Sequence, residues 1–132
     1  MKPIQILTIA SIVALFATSV LGQEVPNYLK DTYPKHALKS AVEARKVLTG
    51  KDARLDAKTR ALISLGVSAQ ISCTYCVCVN TKNAVAAGAS EDEIREAVAI
   101  AAQLRLWSTV LNGMAYDLEA FKAEVDEIHS VK

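Results

Sequence analysis

The sequence lacks any marked excess of charge. Its 15 lysine and arginine side chains face 14 aspartates and glutamates, and no Lys/Arg-rich run interrupts the chain. Nucleic acids and anionic membranes are recognised by a basic face, so neither is expected as a partner. Aromatic residues are scarce: one tryptophan, four tyrosines and two phenylalanines. In their place stand Ala, Val, Leu and Ile, small aliphatic side chains that suit close packing of helices. No segment alternates convincingly between apolar and polar with a period of two, which argues against strands. Internal repeats and low-complexity tracts are missing from the chain after its first segment. A second C-x-x-C is missing too, and His36 and His129 lie far from the cysteines. A zinc site needs four ligands, so no metal is expected.

The first 22 residues stand apart. Lys2 is followed by an uncharged run from Pro3 to Gln23, with small residues at Val20 and Gly22 and the first acid at Glu24. A basic start, an apolar middle and small residues before the cut describe a secretory signal. Residues 1–22 are therefore expected to be a signal peptide cleaved before Gln23, leaving a mature domain over 23–132 in a periplasm or outside the cell. The alternative is an uncleaved anchor, since roughly 18 residues can just span a bilayer. Gln5, Thr8, Ser11, Thr18 and Ser19 weigh against it, and no membrane anchoring is expected after cleavage. Loss of Lys2 leaves the two signs of charge equal. A mature domain of about 110 residues buries only some two-thirds of its unfolded surface. Self-association would supply further burial.

The mature chain reads as all-α, with five to six helices. "QEVPNYLKDTY" is expected to be an irregular lead-in to Pro34, which suits the first turn of a helix running to Leu48 and stopped by Gly50. Asp56 is a natural N-cap for "AKTRALISLGVSAQ". That helix is apolar nearly all round beyond Arg60, so it should be central, with Gly66 admitting a close neighbour. Ser72 can cap a third helix from Cys73 to about Ala87, closed by Gly88. Ser90 and Glu93 form an S-x-x-E capping box for a helix with Ile94, Val98, Ala101, Ala102 and Leu106 on one side. "STVLNGMAY" either extends or breaks it, and Asp117 can cap a last helix, "LEAFKAEVDEIH".

All three cysteines fall within "SCTYCVC". At 100° per residue, Cys73 and Cys76 lie about 60° apart on a helix, while Cys78 lies about 140–160° from both. The expected pair is Cys73 with Cys76. Asn80 falls within about 40° of Cys76, one turn on. The free N–H groups and dipole of a helix start stabilise a thiolate, the reactive form of cysteine. A second thiol nearby resolves a mixed disulfide or sulfenic acid. A purely structural disulfide remains open, because exported proteins often carry one.

The context of the motif narrows this further. Residues 55–102 hold a "KTR-x-LI" helix, "C-x-Y-C", a helix ending in "A-x-x-x-G-A", and "EDEIREA"; "RLWSTVLNG" follows. Together these resemble the alkylhydroperoxidase D-like, or carboxymuconolactone decarboxylase, family. The resemblance implies a helical domain assembled as trimers or hexamers, with the cysteine helix near subunit contacts and no cofactor. It implies a thiol-based peroxidase or disulfide oxidoreductase, which takes a hydroperoxide or disulfide substrate and draws on a thiol reductant protein. By the same resemblance Cys76 would attack and Cys73 would resolve. The decarboxylase branch lacks the thiol pair, so the two cysteines point away from it.

Two departures accompany the match. Where the peroxidase branch has a histidine four residues after the second cysteine, this chain has Asn80. Where it has a glutamate in the preceding helix, this chain has Ala61. An imidazole can carry a thiol proton to a leaving alkoxide, whereas an amide only donates or accepts a hydrogen bond. Slower peroxide reduction is expected, with disulfide exchange intact. Cys78 is expected to pack as a small apolar residue, and Tyr75 to shape the local surface. Trp107 is expected in the core or an interface, and Glu91, Asp92 and Glu93 to favour a helix start.

Overall fold

The computed structural model describes residues 24–130. The expected signal peptide therefore lies outside the described residues. Six helices follow one another: α1 (Asn27–Thr32), α2 (Lys35–Thr49), α3 (Ala57–Gln70), α4 (Thr74–Ala86), α5 (Glu91–Gly113) and α6 (Leu118–Ser130). Among the described residues there is no strand, and the class is all-α as expected. The chain divides into two compact units, one ending at Lys46 and the other beginning at Val47.

In the first unit, the lead-in expected to be irregular contains α1. Its start has no capping side chain, because Pro26 occupies that place. The Pro26 carbonyl instead accepts from Leu29 and Lys30 N–H at 3.0 and 3.2 Å. A helix start made only from a carbonyl leaves no side-chain signature to read. Pro34 does the same for α2, accepting from Ala37 and Leu38 at 3.0 Å each.

The second unit is organised by α3, which packs against both α4 and α5 and so holds the central place expected of it. Asp56 caps it through the Thr59 N–H at 2.9 Å, and the Thr59 hydroxyl donates to the second carboxylate oxygen at 2.6 Å. Those bonds, the hydroxyl's first, hold the Asp56 carboxyl below its ordinary range. The capping box of α5 is complete, with Glu93 N–H on Ser90 Oγ at 3.1 Å and Ser90 N–H on Glu93 Oε2 at 2.7 Å. Glu93 also receives Lys58 from the first turn of α3 at 2.7 Å, which ties the two helix starts together.

The core is small: Ala61, Leu65, Ala84 and Ala101, with Ser68 as the buried polar side chain among the described residues. Gly66 lets α5 come close, since a Cβ there would sit 3.5 Å from Ala101 Cβ and the Ala97 carbonyl. On α5 the expected stripe is covered only in part. Ala101 is buried and Ile94 half-buried, but Ala102 is exposed and Leu106 is 51% exposed. Glu93, Ile94, Ala97 and Ala101 form the covered face instead, because the approach to α3 is set by Gly66 and the small residues opposite it. "STVLNG" extends α5, which ends at Gly113.

Candidate functional site

Three helices of the second unit end in the same way. The residue three past the last helical one bonds back to the carbonyl five before it, and the residue just before it takes a left-handed backbone. After α4 this residue is Gly88, with φ +83°; after α3 it is Ser72 at +53°, and after α5 it is Ala115 at +49°. At the end of α3 the bonds are Ser72 N–H to Ala69 O at 3.3 Å and Cys73 N–H to Ser68 O at 3.1 Å. The last residue of this closure, Cys73, is also the N-cap of α4. No linker separates the two helices.

This corrects the expected start of the cysteine helix. Ser72 is consumed by the turn, and its positive φ is not the extended backbone an N-cap needs. Cys73 takes over, with φ −87° and ψ 95°, and its Sγ accepts the Cys76 N–H at 3.2 Å. Cys73 and Cys76 are joined by a disulfide with Cα atoms 5.2 Å apart, inside the usual range for a bridge. The pairing is the expected one. Its route differs, because Cys73 reaches Cys76 from the cap rather than from within the helix. No acidic residue lies in the first turn of α4, so nothing there opposes the positive end of its dipole.

Cys78 is unbonded and exposed, not packed away as expected. Its angular position away from the pair holds, but among the described residues that side of α4 is left exposed at Cys78. Tyr75, between the bridged cysteines, is 89% exposed.

Asn80 is half-buried and faces α3. Its Nδ2 donates to Ser68 Oγ at 2.9 Å, and the Ser68 hydroxyl donates in turn to the Ser64 carbonyl at 2.6 Å. Asn83 Nδ2 reaches Asn80 Oδ1 at 3.5 Å. Ala61 is buried on the face of α3 that also carries Leu65 and Ser68. Neither Asn80 nor Ala61 can carry a proton, so the arrangement can hold helices and exchange disulfides but contains no acid–base relay. Nothing local in the sequence singles out Ser68. Its placement on the Ala61–Leu65 face is readable from helical spacing, but its partner twelve residues on is set by packing.

A separate groove of about 800 Å³ lies between α3 and α5, lined by Ile63, Val67, Gln70, Ile100, Leu104 and Arg105 among others. It includes no cysteine and not Asn80, so this groove is separate from the Cys73–Cys76 bridge. Among the described residues no cluster of three or more His, Cys, Asp or Glu side chains could hold a metal ion, and no helix is long and apolar enough to cross a membrane.

The model of the carboxymuconolactone decarboxylase family matches residues 36–119. That span takes in the bridge, Asn80 and Ala61, and runs from the start of α2 to the first residues of α6. Among curated individual proteins, none matches the chain.

Proposed function

The chain belongs to the carboxymuconolactone decarboxylase family, and from that premise we propose that it is an exported thiol–disulfide oxidoreductase with weak peroxidase activity. The observation that carries this reading is the Cys73–Cys76 bridge placed at the start of α4. In the reduced form a thiolate of the pair attacks a disulfide or the terminal oxygen of a hydroperoxide. With a hydroperoxide, the O–O bond breaks, a sulfenic acid forms and the alkoxide takes a proton from solvent. The second thiol then displaces water and closes the bridge, and a dithiol reductant protein returns two electrons. Without an imidazole at Asn80 or a carboxylate at Ala61, protonation of the leaving alkoxide goes unassisted. The loss of such a group lowers rates by about 10²–10⁴-fold.

A second reading is a non-enzymatic helical oligomer whose bridge is structural. It draws support from the static chain Asn80–Ser68–Ser64, which contains no titratable group. Against it stands the shortness of the closed loop, with the cysteines three apart. A loop that small constrains the unfolded chain by only about 2 kcal/mol. The reduction potential separates the two readings, because structural bridges usually lie below about −300 mV and exchangeable ones above it.

The direct experiment measures hydroperoxide consumption with a dithiol reductant for wild type, Asn80→His, Ala61→Glu and the double variant. Wild type should turn over slowly, each single should gain little, and the double should exceed the sum of the singles, as residues acting as one unit do. Folding is checked first, because Ala61 is only 7% exposed and a buried carboxylate needs a partner. Wild-type turnover equal to that of the double would remove the missing relay from the account. A folded but inert double, with a potential below the exchangeable range, would favour the structural bridge.

A further inference from the structure

We infer that the attacking thiol in this chain is Cys73, with Cys76 as the resolving one, the reverse of the order that the family resemblance implies. The inference rests on the oxidoreductase reading above and assigns the roles within it.

Hydrogen-bond donors distinguish the two sulfurs. A thiolate is stabilised by N–H groups aimed at it, and a helix start offers them in fixed places. The N-cap side chain takes the N–H of the third helical residue, while the third residue's side chain normally takes the N–H of the N-cap. Here the first of these bonds is made: Cys73 Sγ accepts the Cys76 N–H at 3.2 Å. The second is closed off, since the Cys73 N–H is committed to the Ser68 carbonyl at 3.1 Å by the turn that ends α3. Asn80, one turn beyond Cys76, directs its amide to the Ser68 hydroxyl at 2.9 Å. The backbone and Ser68 therefore leave a donor on one sulfur and draw donors away from the other. An imidazole at position 80 would reverse this by serving Cys76, and this chain does not have it.

The Cys73 thiolate attacks one sulfur of a substrate disulfide, forming a mixed disulfide and expelling the other half as a thiolate. The Cys76 thiol gives its proton to solvent, attacks Cys73 Sγ and expels the second thiolate. The substrate gains two electrons, and the Cys73–Cys76 bridge returns.

The test begins with reduced wild-type protein, which needs no variant at the site. Limiting iodoacetamide at about pH 6, where a depressed thiol is already ionised and an ordinary one is not, should label Cys73 several-fold faster than Cys76 in peptide mapping. In a Cys78→Ser background, Cys76→Ser should then accumulate a mixed disulfide with glutathione disulfide at Cys73. Cys73→Ser, which keeps a good N-cap, should form its own at Cys76 several-fold more slowly. Faster labelling of Cys76 would overturn the inference and leave the oxidoreductase reading standing. Equal labelling of both at the rate of a free model thiol, with no mixed disulfide in either variant, would overturn both.

Discussion

The hydroxyl of Ser68 is met from two sides, by the amide of Asn80 and by the carbonyl of Ser64, at 3% exposure. Alanine at this position removes the oxygen and leaves Asn80 facing a wall with no acceptor. An unsatisfied group of this kind costs about 1–3 kcal/mol. Ser68→Ala is expected to lower stability by that amount, seen as a lower urea midpoint with an unchanged slope, and an unmoved midpoint would show that water replaces the hydroxyl. The backbone bond from Cys73 to Ser68 should survive, since it does not use the side chain. At this scale the sequence was partly legible. The pairing of Cys73 with Cys76 followed from their spacing, even though Cys73 is the cap and not part of the helix. The exposure of Cys78 and the role of Ser68 did not, because each depends on what lies across from the helix.

The elements are defined by their ends more than by their propensities. Asp56 and Ser90 were readable because a cap and its N–H partner lie three residues apart. α1 was not, because a proline carbonyl starts it. The left-handed residues after α3 and α5 were equally silent, since nothing in serine or alanine announces a positive φ. Ala115 at φ +49° carries the steric cost of about 1–2 kcal/mol that a Cβ brings to this region. Part of that relief is offset by the freedom glycine adds to the unfolded chain. Ala115→Gly should raise stability by about 0.5–1 kcal/mol in denaturant titration, and a lowered midpoint would refute the strain.

The start of α5 responds to acid. Lys58 first, then the Ser90 N–H, hold the Glu93 carboxyl below its ordinary value of 4.5. A group whose folded value is depressed gives its full contribution above the unfolded value and loses it as pH falls through the folded one. The contribution of Glu93 is thus complete above about 4.5 and fades below it. Glu93→Gln should flatten the acid side of the stability–pH curve and leave its neutral slope alone. Parallel curves for the two proteins would count against the assignment.

For the whole molecule, burial falls short of what is exposed. Ile63, Val67, Ile71, Ile100, Leu104 and Trp107 are each more than half exposed, while the buried apolar set is one leucine and three alanines among the described residues. Ile63, Val67, Ile100 and Leu104 share the groove between α3 and α5; exposed apolar surface of this kind marks an interface, and a trimer or hexamer is the assembly we propose. Sedimentation at micromolar concentration should show an assembly, and emission from Trp107, the only tryptophan, should shift to the red on dilution. A monomer throughout would refute it. The helical class was open to reading from the sequence because periodicity is local. Which apolar faces stay uncovered was not, because that depends on how closely two helices approach at Gly66.

The corner between α3 and α4 has no slack in it. Its backbone bonds, Ser72 to Ala69 and Cys73 to Ser68, and the clasp from Asn80 to Ser68 involve no sulfur atom. Opening the bridge leaves those bonds in place. On the oxidoreductase reading we propose, the oxidised and reduced forms then share this corner, and a partner would tell them apart by meeting the sulfurs rather than by a change of form.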